Sequence, residues 1–143
     1  MEGCAKVEKT IFITASDKEK LEKLIKDARE YNLAKKEYIY KLEQELLRAK
    51  VVKPEETPND VITMNSQVSL IDLETGEEMI YTLVFPDQAD LSNNKISIFA
   101  PIGTAILGCK VNDVIEWQVP GGVAKFRVNK ILYQPEAAGD FGL

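Results

Sequence analysis

From residue 53 to residue 60 the chain reads Lys-Pro-Glu-Glu-Thr-Pro-Asn-Asp, and the apolar residues on its two sides recur with different periods. Two prolines and three acids without one apolar side chain admit neither a helix nor a central strand, because proline has no amide proton and its ring clashes with the turn before it. Upstream, Leu21, Leu24, Ile25, Ala28 and Tyr31 recur every three or four residues, whereas downstream apolar and polar residues alternate. A change of period across such a breaker predicts an α+β chain. The expected division is an amino-terminal arm and helical hairpin in 1–52, a linker in 53–65 and a sheet domain in 66–143, with the hairpin and sheet as separate packing units.

Residues 10–14, Thr-Ile-Phe-Ile-Thr, are β-branched or aromatic and read as a short strand or extended arm. Ser16-Asp17-Lys18-Glu19 then has the spacing of a capping box, in which the Ser16 hydroxyl accepts from the Glu19 amide and the Glu19 carboxylate accepts from the Ser16 amide. Asn32 suits the turn, since its side chain bonds the local backbone and it tolerates left-handed dihedrals. A second helix is expected over 33–50, with Ala34, Tyr38, Leu42, Leu46 and Ala49 on one face. Helices joined by so short a turn must return on each other, giving a short antiparallel hairpin of coiled-coil type. Its longer arm spans roughly 27 Å at about 1.5 Å per residue.

In the second part, the alternating stretches 67–73 and 79–85 flank Glu74-Thr75-Gly76-Glu77 as a β-hairpin. Polar residues 87–94 form a loop and Lys95 to Phe99 a further strand. Pro101 to Gly108 reads as a short helix opened by the proline and closed by the glycine. Strands over 114–119 and 123–133 are joined by Pro120-Gly121-Gly122, a tight turn without the lysine and helix of a phosphate loop. The sheet is expected to be antiparallel with one short helix, and Trp117 and Phe126 to lie in its core.

Histidine is absent, and the two cysteines, Cys4 and Cys109, stand far apart in sequence. These facts exclude a triad built on imidazole and leave too few ligands for a zinc site. Neither cysteine has a partner suited to a redox motif, so Cys109 reads as a partly buried structural thiol and the compartment as reducing. No basic, apolar leader follows Met1, and no apolar run approaches the ~20 residues of a membrane span. A soluble, cytoplasmic protein without cofactor, metal or membrane contact is expected.

Residues 17–50 carry 10 basic against 8 acidic side chains, and residues 54–143 carry 5 against 13. The sheet domain would therefore repel a phosphate backbone, and direct DNA binding is not expected. Asp27 and Glu30 share one helix face and could hold a hard cation, but Lys23, Lys26 and Arg29 surround them, and such mixed surfaces serve mainly to keep a helix solvated.

More specific are the strings Ala100-Pro101-Ile102-Gly103-Thr104-Ala105-Ile106-Leu107-Gly108, Asn112-Asp113-Val114 and Pro120-Gly121-Gly122. Together they resemble the carboxy-terminal domain of the GreA/GreB family of bacterial transcription elongation factors. The stretch 58–66 and the closing 133–141 resemble a narrower branch, the regulators of nucleoside diphosphate kinase, or Rnk. The resemblance implies an FKBP-like carboxy-terminal domain that docks on bacterial RNA polymerase at the rim of its secondary channel. Pro101, Ile102, Gly103 and Ile106 fall on the docking segment, and the hairpin would point into the channel.

In the Gre factors the hairpin tip carries an Asp, two spacers and a Glu, which help hold the second catalytic magnesium during cleavage of a backtracked transcript. Here the corresponding tip consists of Tyr31, Asn32, Leu33, Lys35 and Lys36, without an acid from Asn32 to Lys36, while Asp27 and Glu30 lie before the turn. The expectation is a non-enzymatic regulator that hinders Gre factors. The alternatives are a Gre-like cleavage factor using Asp27 and Glu30, and an FKBP-like peptidyl-prolyl isomerase.

Overall fold

The computed structural model describes residues 11–119 and 121–139 of the 143. Cys4, Thr10, Pro120, residues 140–141 and the side chains of Pro101 and Trp117 lie outside the described residues, and with them the core position expected for Trp117. The chain opens with strand β1 (Phe12–Thr14), which turns directly into helix α1 (Ala15–Tyr31). The cap is Thr14, not the expected Ser16: its extended backbone leaves the helix open, and its side-chain oxygen accepts from the Asp17 amide at 3.2 Å. Both hydroxyls have a suitable local sequence, but Thr14 stands at the strand–helix junction, where the orphan amides begin. Replacing Thr14 with alanine is expected to cost about 1 kcal/mol, while Ser16→Ala stays within about 0.5 kcal/mol; urea unfolding of the two variants measures the difference.

Helix α1 ends at Asn32, whose φ of 54° is left-handed, and the Leu33 amide bonds back to the Ala28 carbonyl at 3.0 Å. Helix α2 (Lys36–Leu47) is shorter than the expected 33–50. Its buried face is Ile39, Leu42 and Leu46, so the stripe runs through Ile39 where Tyr38 was expected. Tyr31, expected on the α1 stripe, is 65% exposed. It is the last residue of α1.

The end of the region expected as helix is instead strand β2 (Lys50–Val52), which pairs in parallel with β1 in the register Ile13↔Val51. A parallel pair requires a crossover, and here the two helices supply it. The base of the hairpin is thus clasped by backbone hydrogen bonds, including one from the Lys50 amide to the Ile11 carbonyl at 2.7 Å.

Pro54–Glu56 forms a single 3-10 turn, as the prolines require. The second half of the expected linker contributes to the core, since Val61, Ile62 and Met64 are buried. Strands β3 (Gln67–Asp72), β4 (Glu78–Val84), β5 (Lys95–Ser97), β6 (Val114–Val119) and β7 (Gly122–Tyr133) form one sheet of order β5-β4-β3-β7-β6. The sheet is mixed, not antiparallel throughout: β5 runs parallel to β4, with Leu83 opposite Ile96. Two short 3-10 turns, Pro86–Gln88 and Leu91–Asn93, carry the chain back before it re-enters the sheet.

Helix α3 (Pro101–Ile106) is joined by a second short helix, α4 (Pro135–Ala138), where one had been expected. Leu70, Leu83, Ile115, Phe126 and Val128 of the sheet belong to the same buried cluster as Leu21, Ile25, Ile39 and Leu42 of the helices. Among the described residues no helix is long and apolar enough to cross a membrane.

Candidate functional site

Two surfaces carry the residues singled out in the sequence, and the first is the segment Ile98–Gly108. After β5 the Ala100 amide bonds the Ser97 carbonyl at 3.0 Å, and Pro101 occupies the first turn of α3, where its missing amide proton costs nothing. The Thr104 hydroxyl donates to the Ile98 carbonyl at 2.6 Å, drawing the helix down onto the strand end. Gly103 completes the fit, for a Cβ there would lie 2.1 Å from the Ser97 carbonyl oxygen.

Of the expected docking residues, Ile102 is half-buried at the surface, whereas Gly103 is buried and Ile106 has 0% exposure. Gly103 and Ile106 therefore fix the shape and attitude of α3 from beneath. Gly108, at φ +83°, closes the segment and lies against the arm: its missing Cβ would meet the Ile11 side chain at 2.5 Å. Cys109 is fully buried, and its thiol donates to the Ala105 carbonyl at 3.2 Å, as expected of a structural cysteine.

The second surface is the hairpin end. Asn32 turns the chain, and Lys35 takes the capping position of α2 without a side-chain cap bond. The Lys35 ammonium stands 5.7 Å above the Tyr38 ring, while Leu33 and Tyr40 are 62% and 58% exposed. Tyr40 was not singled out from the sequence, although as a polar-tipped aromatic off the apolar stripe of α2 it could have been. With Ala28, Ala34, Lys36 and Ile39 it lines a shallow recess of about 360 Å³ at the tip.

Asp27 and Glu30 lie on α1 before the turn. The Asp27 carboxylate accepts from the Lys23 ammonium at 3.1 Å, and Glu30 lines the flank of the hairpin. Between them in sequence, the Arg29 guanidinium grips both carboxylate oxygens of Glu43 across the helices, with one bond at 2.9 Å, and this holds the Glu43 carboxyl below its ordinary pKa. Of the Asp27 and Glu30 carboxylates one is engaged by a lysine, and both stand on α1 before the turn rather than at it. Among the described residues no group of three or more potential ligands stands together.

Residues 57–133 match the family model described as the carboxy-terminal domain of transcription elongation factor GreA/GreB, and residues 9–52 match that of the Rnk N-terminus. The chain belongs to the GreA/GreB family, on its Rnk branch. The regulator of nucleoside diphosphate kinase of Escherichia coli (strain K12) is 50% identical over 101 residues, which cover 70% of this chain and 74% of that protein. Transcription elongation factor GreA of Acetivibrio thermocellus is 39% identical over 113 residues, or 75% of this chain and 71% of that one. Among solved structures, a prokaryotic transcription elongation factor GreA/GreB from Nitrosomonas europaea aligns with a TM-score of 0.75 at 42% identity, covering 87% of this chain and 100% of its own. Both families meet in this chain: a Rnk-type helical part on a GreA/GreB-type sheet part.

Proposed function

We propose that the protein is a transcription regulator that binds bacterial RNA polymerase at the rim of the secondary channel, hinders Gre factors there and does not stimulate transcript cleavage. The sheet part, with its FKBP-like resemblance, supplies the docking surface around Ile102, and the helical part acts as a short coiled-coil probe at the channel mouth. Family membership supports the target. The observation that carries the rest is the chemistry of the hairpin end.

A cleavage factor must bring carboxylates to the reacting phosphate together with a metal ion. The end of this hairpin presents exposed Tyr31 and Leu33 beside Lys35 and Lys36, while Asp27 is tied back to Lys23 on the side of α1. Cations at the tip repel a second cation. The helices are also short: at about 1.5 Å per residue, α1 reaches roughly 26 Å and α2 roughly 18 Å. Such a hairpin occupies the entrance without supplying the catalytic acids.

A backtracked elongation complex tests this. Saturating protein is expected to leave the cleavage rate at its intrinsic level and to reduce the stimulation produced by an added Gre factor. Magnesium-dependent cleavage that an Asp27→Ala, Glu30→Ala double variant loses would establish the Gre-like reading instead. Turnover of a chromogenic prolyl peptide would support the isomerase alternative.

A further inference from the structure

Along one flank of the hairpin runs a groove of about 500 Å³ between α1 and α2. Its rim on α1 is Lys18, Glu22, Lys26 and Glu30, a row of alternating sign at i, i+4 spacing. Residues so spaced on a helix are positioned to pair along their own ridge. Among the described residues none of them makes an ion pair; the Lys–Asp pair of α1 joins Lys23 to Asp27 on a different ridge.

The order of the signs matters. Turned end for end about the midpoint between Glu22 and Lys26, the row places Lys18 opposite Glu30 and Glu22 opposite Lys26. Every charge then meets its opposite. A two-fold interface requires one patch to be complementary to itself in this way, and a row of uniform sign would not satisfy it.

The apolar surface lies where such an axis needs it. The bond between Arg29 and Glu43 crosses from one helix to the other. One turn back along α1 and one turn on along α2, Ile25, Leu46 and Leu47 line the groove, the first two of them buried. Leu47 is 73% exposed, although it neighbours the buried Leu46. Leu47 thus places an exposed apolar side chain beside the axis with charges around it, an arrangement of the kind protein interfaces use.

We propose that this flank is the docking surface for a second copy of the same chain, laid antiparallel so that α1 crosses α1 between Glu22 and Lys26 and each Leu47 is covered by its partner. The pairing covers the hairpin flank in the free protein, so self-association and insertion of the hairpin into a narrow channel exclude each other.

Sedimentation equilibrium of the full chain in low salt, without polymerase, tests it. The wild type is expected at about twice its 16.0 kDa chain mass. Lys26→Glu turns both symmetry-related central pairs into repulsions and is expected to weaken the dimer about tenfold or more. Adding Glu22→Lys restores the complementarity, and with it the dimer. Far-UV circular dichroism checks that the variants remain folded, and Leu47→Ser supplies a second disrupting change that leaves every charge in place. A wild type that stays monomeric at its highest soluble concentration overturns the proposal. So does a dimer indifferent to Lys26→Glu, or a charge swap that fails to restore association. None of these outcomes depends on polymerase binding, so the two proposals stand or fall separately.

Discussion

Gly103→Ala is expected to destabilise the protein by about 3 kcal/mol, at the upper end of what overpacking a close contact costs. The atoms a Cβ would meet are the Ser97 oxygen at 2.1 Å, the Ser97 carbonyl carbon at 3.1 Å and the Ile98 Cα at 3.2 Å. All are backbone, so no side-chain rotation relieves the contact, and α3 must lift from the end of β5. Lifting it strains the Thr104 bond to the Ile98 carbonyl and uncovers Ile106. At roughly 2–4 °C per kcal/mol for a domain of this size, the melting temperature should fall by about 6–12 °C. Gly121→Ala, with nothing within 4 Å of the added carbon, is the control and should stay within about 0.5 kcal/mol. Equal melting temperatures for the two variants would mean that the close approach at Gly103 contributes little.

The second large effect is on binding. Among the described side chains of the proposed docking segment, Ile102 is the accessible one, and Gly103 and Ile106 are buried. Placing a carboxylate there leaves an unpaired charge in the contact, and central apolar anchors typically account for 2 kcal/mol or more. Ile102→Asp is therefore expected to weaken binding to RNA polymerase about thirtyfold or more, since each 1.4 kcal/mol is tenfold. Leu91→Asp, at a position 80% exposed in the β4–β5 connection, should bind as the wild type does. Both proteins are measured below their melting points, so that lost binding reports the surface rather than unfolding. Undiminished binding by folded Ile102→Asp would remove α3 from the interface.

The parts of this fold legible in the sequence were those set by local rules. The breaker at 53–60, Asn32 as a left-handed turn, Pro101 and Gly108 bracketing α3, and the strands around Gly76 each follow from the chemistry of a few adjacent residues. What escaped depended on distant partners. Lys50–Val52 is too short to display a period and becomes a strand only because β1 lies beside it. Ser16 and Thr14 offer the same hydroxyl two positions apart, and the choice between them is made by where β1 ends. Tyr38 and Ile39 are consecutive and so stand about 100° apart on the helix, and it is Ile39 that shares a face with the buried Leu42 and Leu46.

The parallel course of β5 could not be read because it rests on how the β4–β5 connection folds back. At the candidate surfaces the residues were visible but their depth was not. Nothing in the string around Pro101 shows that Ile106 faces inward, or that a backbone oxygen occupies the space beside Gly103. The charges of α1 were equally visible, and only the structure separates the ridge that pairs internally from the one that does not.

The parallel clasp of β1 and β2 also orders events in time. Its two strands enter from opposite ends of the helical region, so their bonds cannot form until both helices and the Asn32 turn have brought Ile11 and Lys50 together. Contacts that close a long stretch of chain come late in folding, because the entropy of closure must be met before they add stability. On a ribosome, a chain that has emerged only through α1 has no partner for β1, and Ile11 has no Gly108 to rest against. In the finished protein the same clasp, three residues on each side, is where hydrogen exchange should first reveal opening, ahead of the central strands β3 and β7.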